Sequence, residues 1–175
     1  AAKIHDEAKA KWATAYRAYK AEQARQAALA AARASGGAAG VPSQTKGVAC
    51  PIAGHNYFID TWGYPRSGGR THKGVDMMAA YNTPLVAMVS GTVRLNTHSL
   101  GGIQAYVYGD DGITYYYAHM SKWKSGLRNG DRVNKGQVIG YVGDSGNARG
   151  TPHLHLGMIV GGVYVNPYPT VRPAC

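Results

Sequence analysis

From Cys50 onward the chain consists of short β-branched and aromatic runs separated by glycine-containing turns. "TPLVAMVSGTVRL" (83–95), "GIQAYVYGDDGITYYYAHM" (102–120) and "GQVIGYVGDSGN" (136–147) are the clearest examples. Runs of this length and composition suit strands, and no long helical period interrupts them. Asp111-Gly112 lies between two strand-like runs and reads as a hairpin turn. Without crossover helices the strands have to pair mainly with antiparallel neighbours, so the region is expected to be mostly β.

The first part of the chain has a different texture. Residues 1–34 are rich in Ala, Lys, Arg and Gln and contain neither Gly nor Pro, a composition that favours helix. Ile4, Ala8, Trp12, Tyr16, Tyr19 and Gln23 recur at steps of three and four and form one stripe. The expectation is a helical segment, the end of a longer coiled coil, that meets a helical protein partner. Residues 35–49, "SGGAAGVPSQTKGVA", read as a linker, and residues 50–175 as the second domain. The opening "AAKIHDEAKAKW" has no initiator Met and is read as a piece of an exported precursor whose signal has been lost.

A formal net charge of +10 favours polyanionic surroundings such as nucleic acid, anionic lipid or an anionic cell wall. No apolar run approaches the roughly 18 residues needed to span a bilayer. The two cysteines, Cys50 and Cys175, bracket the β-rich segment. A bond between them would tie its ends together and imply an oxidising compartment.

Two histidines sit one residue apart in "TPHLHLGMIV" (151–160), where Leu154, Leu156, Met158 and Val160 alternate with other residues. On a strand, His153 and His155 then share one face and the leucines pack behind them. Two imidazoles on a rigid face suit metal binding, a shared catalytic task or plain solvation. Upstream, "GGRTHKGVDMMA" holds His72 and, four residues on, Asp76. A loop running into a strand can aim both at one point. With one histidine of the later pair they would supply two imidazoles and a carboxylate, a donor set for a catalytic zinc site. The same alternation puts Tyr115, Tyr117 and His119 on one face of their strand, with Tyr116 and Ala118 on the other.

"WGYPRSGGRTHKGVDMMA", "YYYAHMS", "GDRVNKGQVIGYVGDSG" and "TPHLHLGM" together resemble the successive signatures of the lysostaphin/LytM-type zinc endopeptidases, which cut peptidoglycan peptides. The resemblance covers about residues 55–168, and the ending "NPYPTVRPAC" is similar to exported, actinobacteria-like members. It implies a small antiparallel β-sheet or half-barrel with an open groove, one Zn²⁺ per chain and a cell-wall location. It makes His72, Asp76 and His155 the zinc ligands, and His119 and His153 the catalytic residues. It also implies an aromatic or polar group that helps to hold the tetrahedral intermediate, for which Tyr64, Arg66 and Tyr117 are candidates. Asn147, in the "GDSGN" turn, is a candidate substrate contact on the groove rim.

Three other readings compete. A catalytically silent adaptor of the same fold, regulating another wall hydrolase, would lack one or more of the five His/Asp positions, and all five are present. A biotinyl- or lipoyl-type carrier resembles "GTV…GDRVNKGQVIGYV", but the chain has no acceptor lysine on a hairpin between two such halves. Nucleic-acid binding suits the charge, yet no recognised motif accompanies it.

Overall fold

The computed structural model describes residues 47–175, and Val48–Cys175 forms one compact unit. The helix expected over 1–34 and most of the linker lie outside the described residues. The end of that linker already belongs to the folded unit, because the Ala49 amide donates to the Met88 carbonyl at 2.8 Å.

Twelve strands follow in order: β1 (Asn56–Tyr57), β2 (Pro65–Arg66), β3 (Arg70–Thr71), β4 (Val75–Ala79), β5 (Pro84–Val86), β6 (Gly91–His98), β7 (Gly102–Gly109), β8 (Ile113–Trp123), β9 (Arg132–Val133), β10 (Val138–Val142), β11 (His153–Val160) and β12 (Val163–Val165). Ten of them form one antiparallel sheet whose main path runs β1-β4-β11-β8-β7-β6-β9. β10 pairs with both β5 and β8, and β12 extends the sheet beside β11. β2 and β3 make a separate hairpin. The β7–β8 hairpin turns at Asp111-Gly112, with Gly112 at φ 81° and its amide bonded to the Gly109 carbonyl. This is the left-handed conformation that such a turn requires.

One face of the sheet is core. Val75 and Met77 of β4, Leu154, Leu156 and Met158 of β11, and Tyr115 and Tyr117 of β8 are fully enclosed. The opposite face carries Asp76, His153 and His155, as the alternation in β4 and β11 demands. The sheet therefore has one packed side and one open side. Cys50 and Cys175 are disulfide-bonded, with Cα atoms 5.0 Å apart and a sequence separation of 125. In the chain-entropy account, closing a loop of this size stabilises by about 5 kcal/mol. Among the described residues no helix is long and apolar enough to cross a membrane.

The structure corrects the alternation read for β8. Between Ala105↔Tyr117 and Ile103↔Met120 the strand carries one extra residue, a β-bulge, and His119 lies there at φ 61°. The bulge turns His119 onto the open side with Tyr116, while Tyr117 stays in the core. Tyr117 is thereby withdrawn as a substrate contact. Its side chain is inaccessible, its hydroxyl donates to the Val86 carbonyl at 3.0 Å and accepts from the Met88 amide at 3.0 Å. Burial pushes this phenol up from its ordinary value, so it stays a neutral strut between β8 and the 86–88 segment. Tyr117→Phe is expected to leave the Met88 amide without its partner and to cost about 1–3 kcal/mol in urea unfolding, with metal content and groove chemistry intact.

Candidate metal centre

β4 and β11 meet in the register His155↔Asp76, which sets these two side chains next to each other across 79 residues of chain. His72 comes from the loop between β3 and β4 and is buried. That loop is held by two backbone bonds, His72 amide to Tyr64 carbonyl at 2.8 Å and Gly63 amide to His72 carbonyl at 2.9 Å. The His72 Nδ1–H donates to the Thr61 carbonyl at 2.8 Å, so Nε2 faces the centre. One donor atom from each of His72, Asp76 and His155 lies within 4.8 Å of the others, a group that could hold a metal ion. The His72 Nε2 and the His155 Nδ1 each lie 3.0 Å from the Asp76 Oδ1. The second Asp76 oxygen, Oδ2, accepts from the Arg66 guanidinium.

Gly74 permits this approach. A Cβ at that position would stand 2.5 Å from the Leu156 carbonyl oxygen and 2.6 Å from the His155 ring. Any side chain there would push His155 away from Asp76, which is the physical reason for glycine between His72 and Asp76.

Two further imidazoles flank the centre. The His119 and His153 rings lie 4.8 Å apart, centroid to centroid. Each has its Nδ1–H committed to a carbonyl: His119 to Ser145 at 2.8 Å, His153 to Thr151 at 2.7 Å. In the neutral tautomers so fixed, both Nε2 atoms carry a lone pair. The His153 Nε2 is 3.8 Å from the Asp76 Oδ1, near the centre but farther from that oxygen than the His72 and His155 nitrogens. Burial lowers the pKa of His119 to about 4 against the pull of the Ser145 carbonyl. His155 is also lowered by burial, with Asp76 opposing. Burial would raise the Asp76 carboxyl, but the hydrogen bonds from His155 and His72 outweigh it and hold the group far below the usual carboxylate range.

The structure brings His72, Asp76, His119, His153 and His155 together and sets Arg66 on Asp76. Tyr64 is half exposed and touches the site through its backbone bond to His72. Asn147 is exposed on the loop after β10, and its amide donates to the Leu100 carbonyl at 3.0 Å. Sequence reasoning missed Thr61 and Ser145, which aim His72 and His119 through backbone carbonyls that no residue-type pattern reveals. It also placed Tyr116 on the wrong face. This ring stands edge-on to His155 at 5.8 Å, and its hydroxyl accepts from Gln104 at 2.6 Å.

The lowered His119 value gives a pH signature. Unfolded His119 protonates near the ordinary 6.5 and the folded group only near 4, so between these values the unfolded chain binds more protons. Stability of the metal-free protein is then full above pH 6.5 and falls as pH drops towards 4. His119→Asn, a residue that tolerates the left-handed backbone, is expected to flatten that fall in urea titrations at pH 7, 6 and 5.

The family model described as Peptidase family M23 matches residues 70–167, which include all five of these residues. The L-Ala--D-Glu endopeptidase of Bacillus subtilis is 35% identical over 117 residues, 62% of this chain and 36% of that protein. The peptidoglycan DD-endopeptidase ShyC of Vibrio cholerae is 33% identical over 98 residues, 56% of this chain and 22% of that protein. The catalytic domain of lysostaphin from Staphylococcus simulans aligns with a TM-score of 0.60 at 29% identity, covering 67% of this chain and 92% of that one. The chain thus spans about a third or less of the length of these two curated relatives. With more than half of its residues inside the family match and a His/Asp/His group at the matched sheet, the chain belongs to peptidase family M23.

Proposed function

We propose that this chain is a zinc-dependent endopeptidase that hydrolyses peptide bonds of peptidoglycan, in cross-links or stem peptides, outside the cell. The observation that carries the reading is the convergence of His72, Asp76 and His155 beside two further imidazoles on an open sheet face. Support for the substrate comes from two relatives, one named a peptidoglycan DD-endopeptidase and the other an L-Ala--D-Glu endopeptidase.

Two imidazole nitrogens and one carboxylate oxygen are a fitting donor set for zinc in a catalytic site. The Thr61 carbonyl on the His72 Nδ1–H and the Arg66 guanidinium on Asp76 orient two of the three donors from behind. When bound, zinc supplies Lewis-acid polarisation of the scissile carbonyl and a lowered pKa for water.

The remaining steps fall to the chain's own residues. The His119 and His153 Nε2 lone pairs face the centre and accept the proton released as water attacks the carbonyl carbon. The protonated imidazole then hands that proton to the departing amine nitrogen, so the step balances. His119, neutral at pH 7, is ready to accept. The carbonyls of Ser145 and Thr151 keep both rings in the required tautomer. Arg66 is a charge held at the rim by Asp76. Tyr64 and Asn147 are proposed as substrate contacts beside it. The silent-adaptor alternative requires a missing ligand position, and this chain has all of them.

His72→Ala, Asp76→Ala and His155→Ala are expected to lose both zinc and activity. His119→Ala and His153→Ala are expected to keep close to one zinc per chain and lose about 100- to 10,000-fold in turnover. Metal content by atomic emission and cleavage of a cross-linked peptide check all five. Equal zinc in all five variants and the parent would overturn the metallopeptidase reading. Digestion of purified peptidoglycans of known cross-link chemistry, with mass analysis, identifies the bond. A chelator is expected to stop the digestion and added zinc to restore it.

A further inference from the structure

Between the β6–β7 turn and the loop that joins β10 to β11 lies an open pocket of about 440 Å³. Its lining includes His98, Ser99, Gly102, Ser145, Gly146 and Arg149. None of these residues has a part in the chemistry above except Ser145, whose carbonyl holds the His119 ring. The pocket floor is therefore one hydrogen bond away from a candidate proton acceptor, on the Nδ1 side of its ring.

The walls are preformed. The Ser145 hydroxyl accepts from the Ile103 amide at 2.9 Å and donates to the Met120 carbonyl at 2.7 Å. A Cβ on Gly102 would stand 2.1 Å from the Ser145 Oγ, and one on Gly146 would stand 2.3 Å from the Leu100 carbonyl oxygen. The two loops meet backbone to backbone, and both glycines have positive φ, 64° and 73°. Ala148, buried between Asn147 and Arg149, anchors the same loop.

The pocket is also positive. Arg149 is exposed and has no hydrogen-bond or ion-pair partner among the described residues. The His98 Nδ1 accepts from the Leu100 amide at 3.2 Å, which leaves its Nε2–H as a donor. No carboxylate is among the lining residues. Asp144, which precedes Ser145 in the chain, accepts from the Gly150 amide at 2.8 Å. A guanidinium at the mouth of a rigid polar pocket is built to take a carboxylate in a two-point contact.

We propose that this pocket receives a substrate residue with a free carboxylate, and that Arg149 selects it. The inference rests on the endopeptidase reading and narrows it, since an acid-bearing stem peptide satisfies the pocket and an all-glycine bridge does not. The test uses the zinc-loaded full chain and two cross-linked muropeptides that differ only in having that carboxylate free or amidated. The parent is expected to favour the free acid at least tenfold in kcat/KM. Arg149→Gln should erase the preference and leave the thermal midpoint unchanged, while Arg149→Lys restores part of it. Binding of both peptides is titrated in parallel. Equal cleavage of both peptides by the parent, or an undiminished preference in Arg149→Gln, overturns the pocket and leaves the peptidase reading standing. A parent that cleaves neither yet binds the free acid at least tenfold tighter through Arg149 upholds the pocket and overturns the peptidase reading. A parent that neither cleaves nor distinguishes them overturns both.

Discussion

The register of β4 against β11 is the constraint on which the site depends. His155 faces Asp76 because Leu154 and Leu156 on one strand, and Val75 and Met77 on the other, all turn into the core. Side chains alternate with period two, so a slip by one residue would drive both polar groups into the interior and bring leucines to the surface. Burying a carboxylate without partners costs far more than any groove contact returns. The hydrophobic side of the sheet thus specifies the polar side, and Gly74 removes the one atom that would keep His155 from closing on Asp76.

Burial and backbone carbonyls then determine what the imidazoles can do. Four histidines crowd one face. His119 and His155 are both lowered by burial. Asp76, with partners on both oxygens, stays ionised. Each Nδ1–H of His72, His119 and His153 is taken by a carbonyl from a loop or strand end, which leaves Nε2 of these three rings free, whereas His155 turns its Nδ1 to Asp76. The tautomers are a property of the loops at Thr61, Ser145 and Thr151 more than of the strands that carry the rings.

Those loops are also where the site grades into its surroundings. Ser145 holds His119 by its carbonyl, joins β7 to β8 through its hydroxyl and forms part of the pocket wall beside Arg149. A single rigid turn thereby couples the orientation of a candidate base to the shape of a neighbouring concavity. The open face is also aromatic, with Tyr116 stacked on Tyr106 at 4.8 Å and tied to Gln104. Below it the Tyr117 hydroxyl braces β8 from within the core.

What the sequence determined by itself is what depends on neighbours along the chain. The alternation in "TPHLHLGMIV" put His153 and His155 on one face, the Asp111-Gly112 turn closed a hairpin, and the order of short motifs carried the family resemblance. The tertiary structure decided what depends on residues far apart. A bulge opposite Gln104 turned His119 onto the groove and left Tyr117 inside, which no period-two count can anticipate, because the extra residue is visible only against its partner strand. The carbonyls of Thr61 and Ser145 became orienting groups because backbone oxygens are common to every residue type and only folding chooses among them. The sequence names the side chains that can do chemistry, whereas their distances, tautomers and exposure follow from long-range pairing, whose energy is shared among many contacts and written in no single stretch.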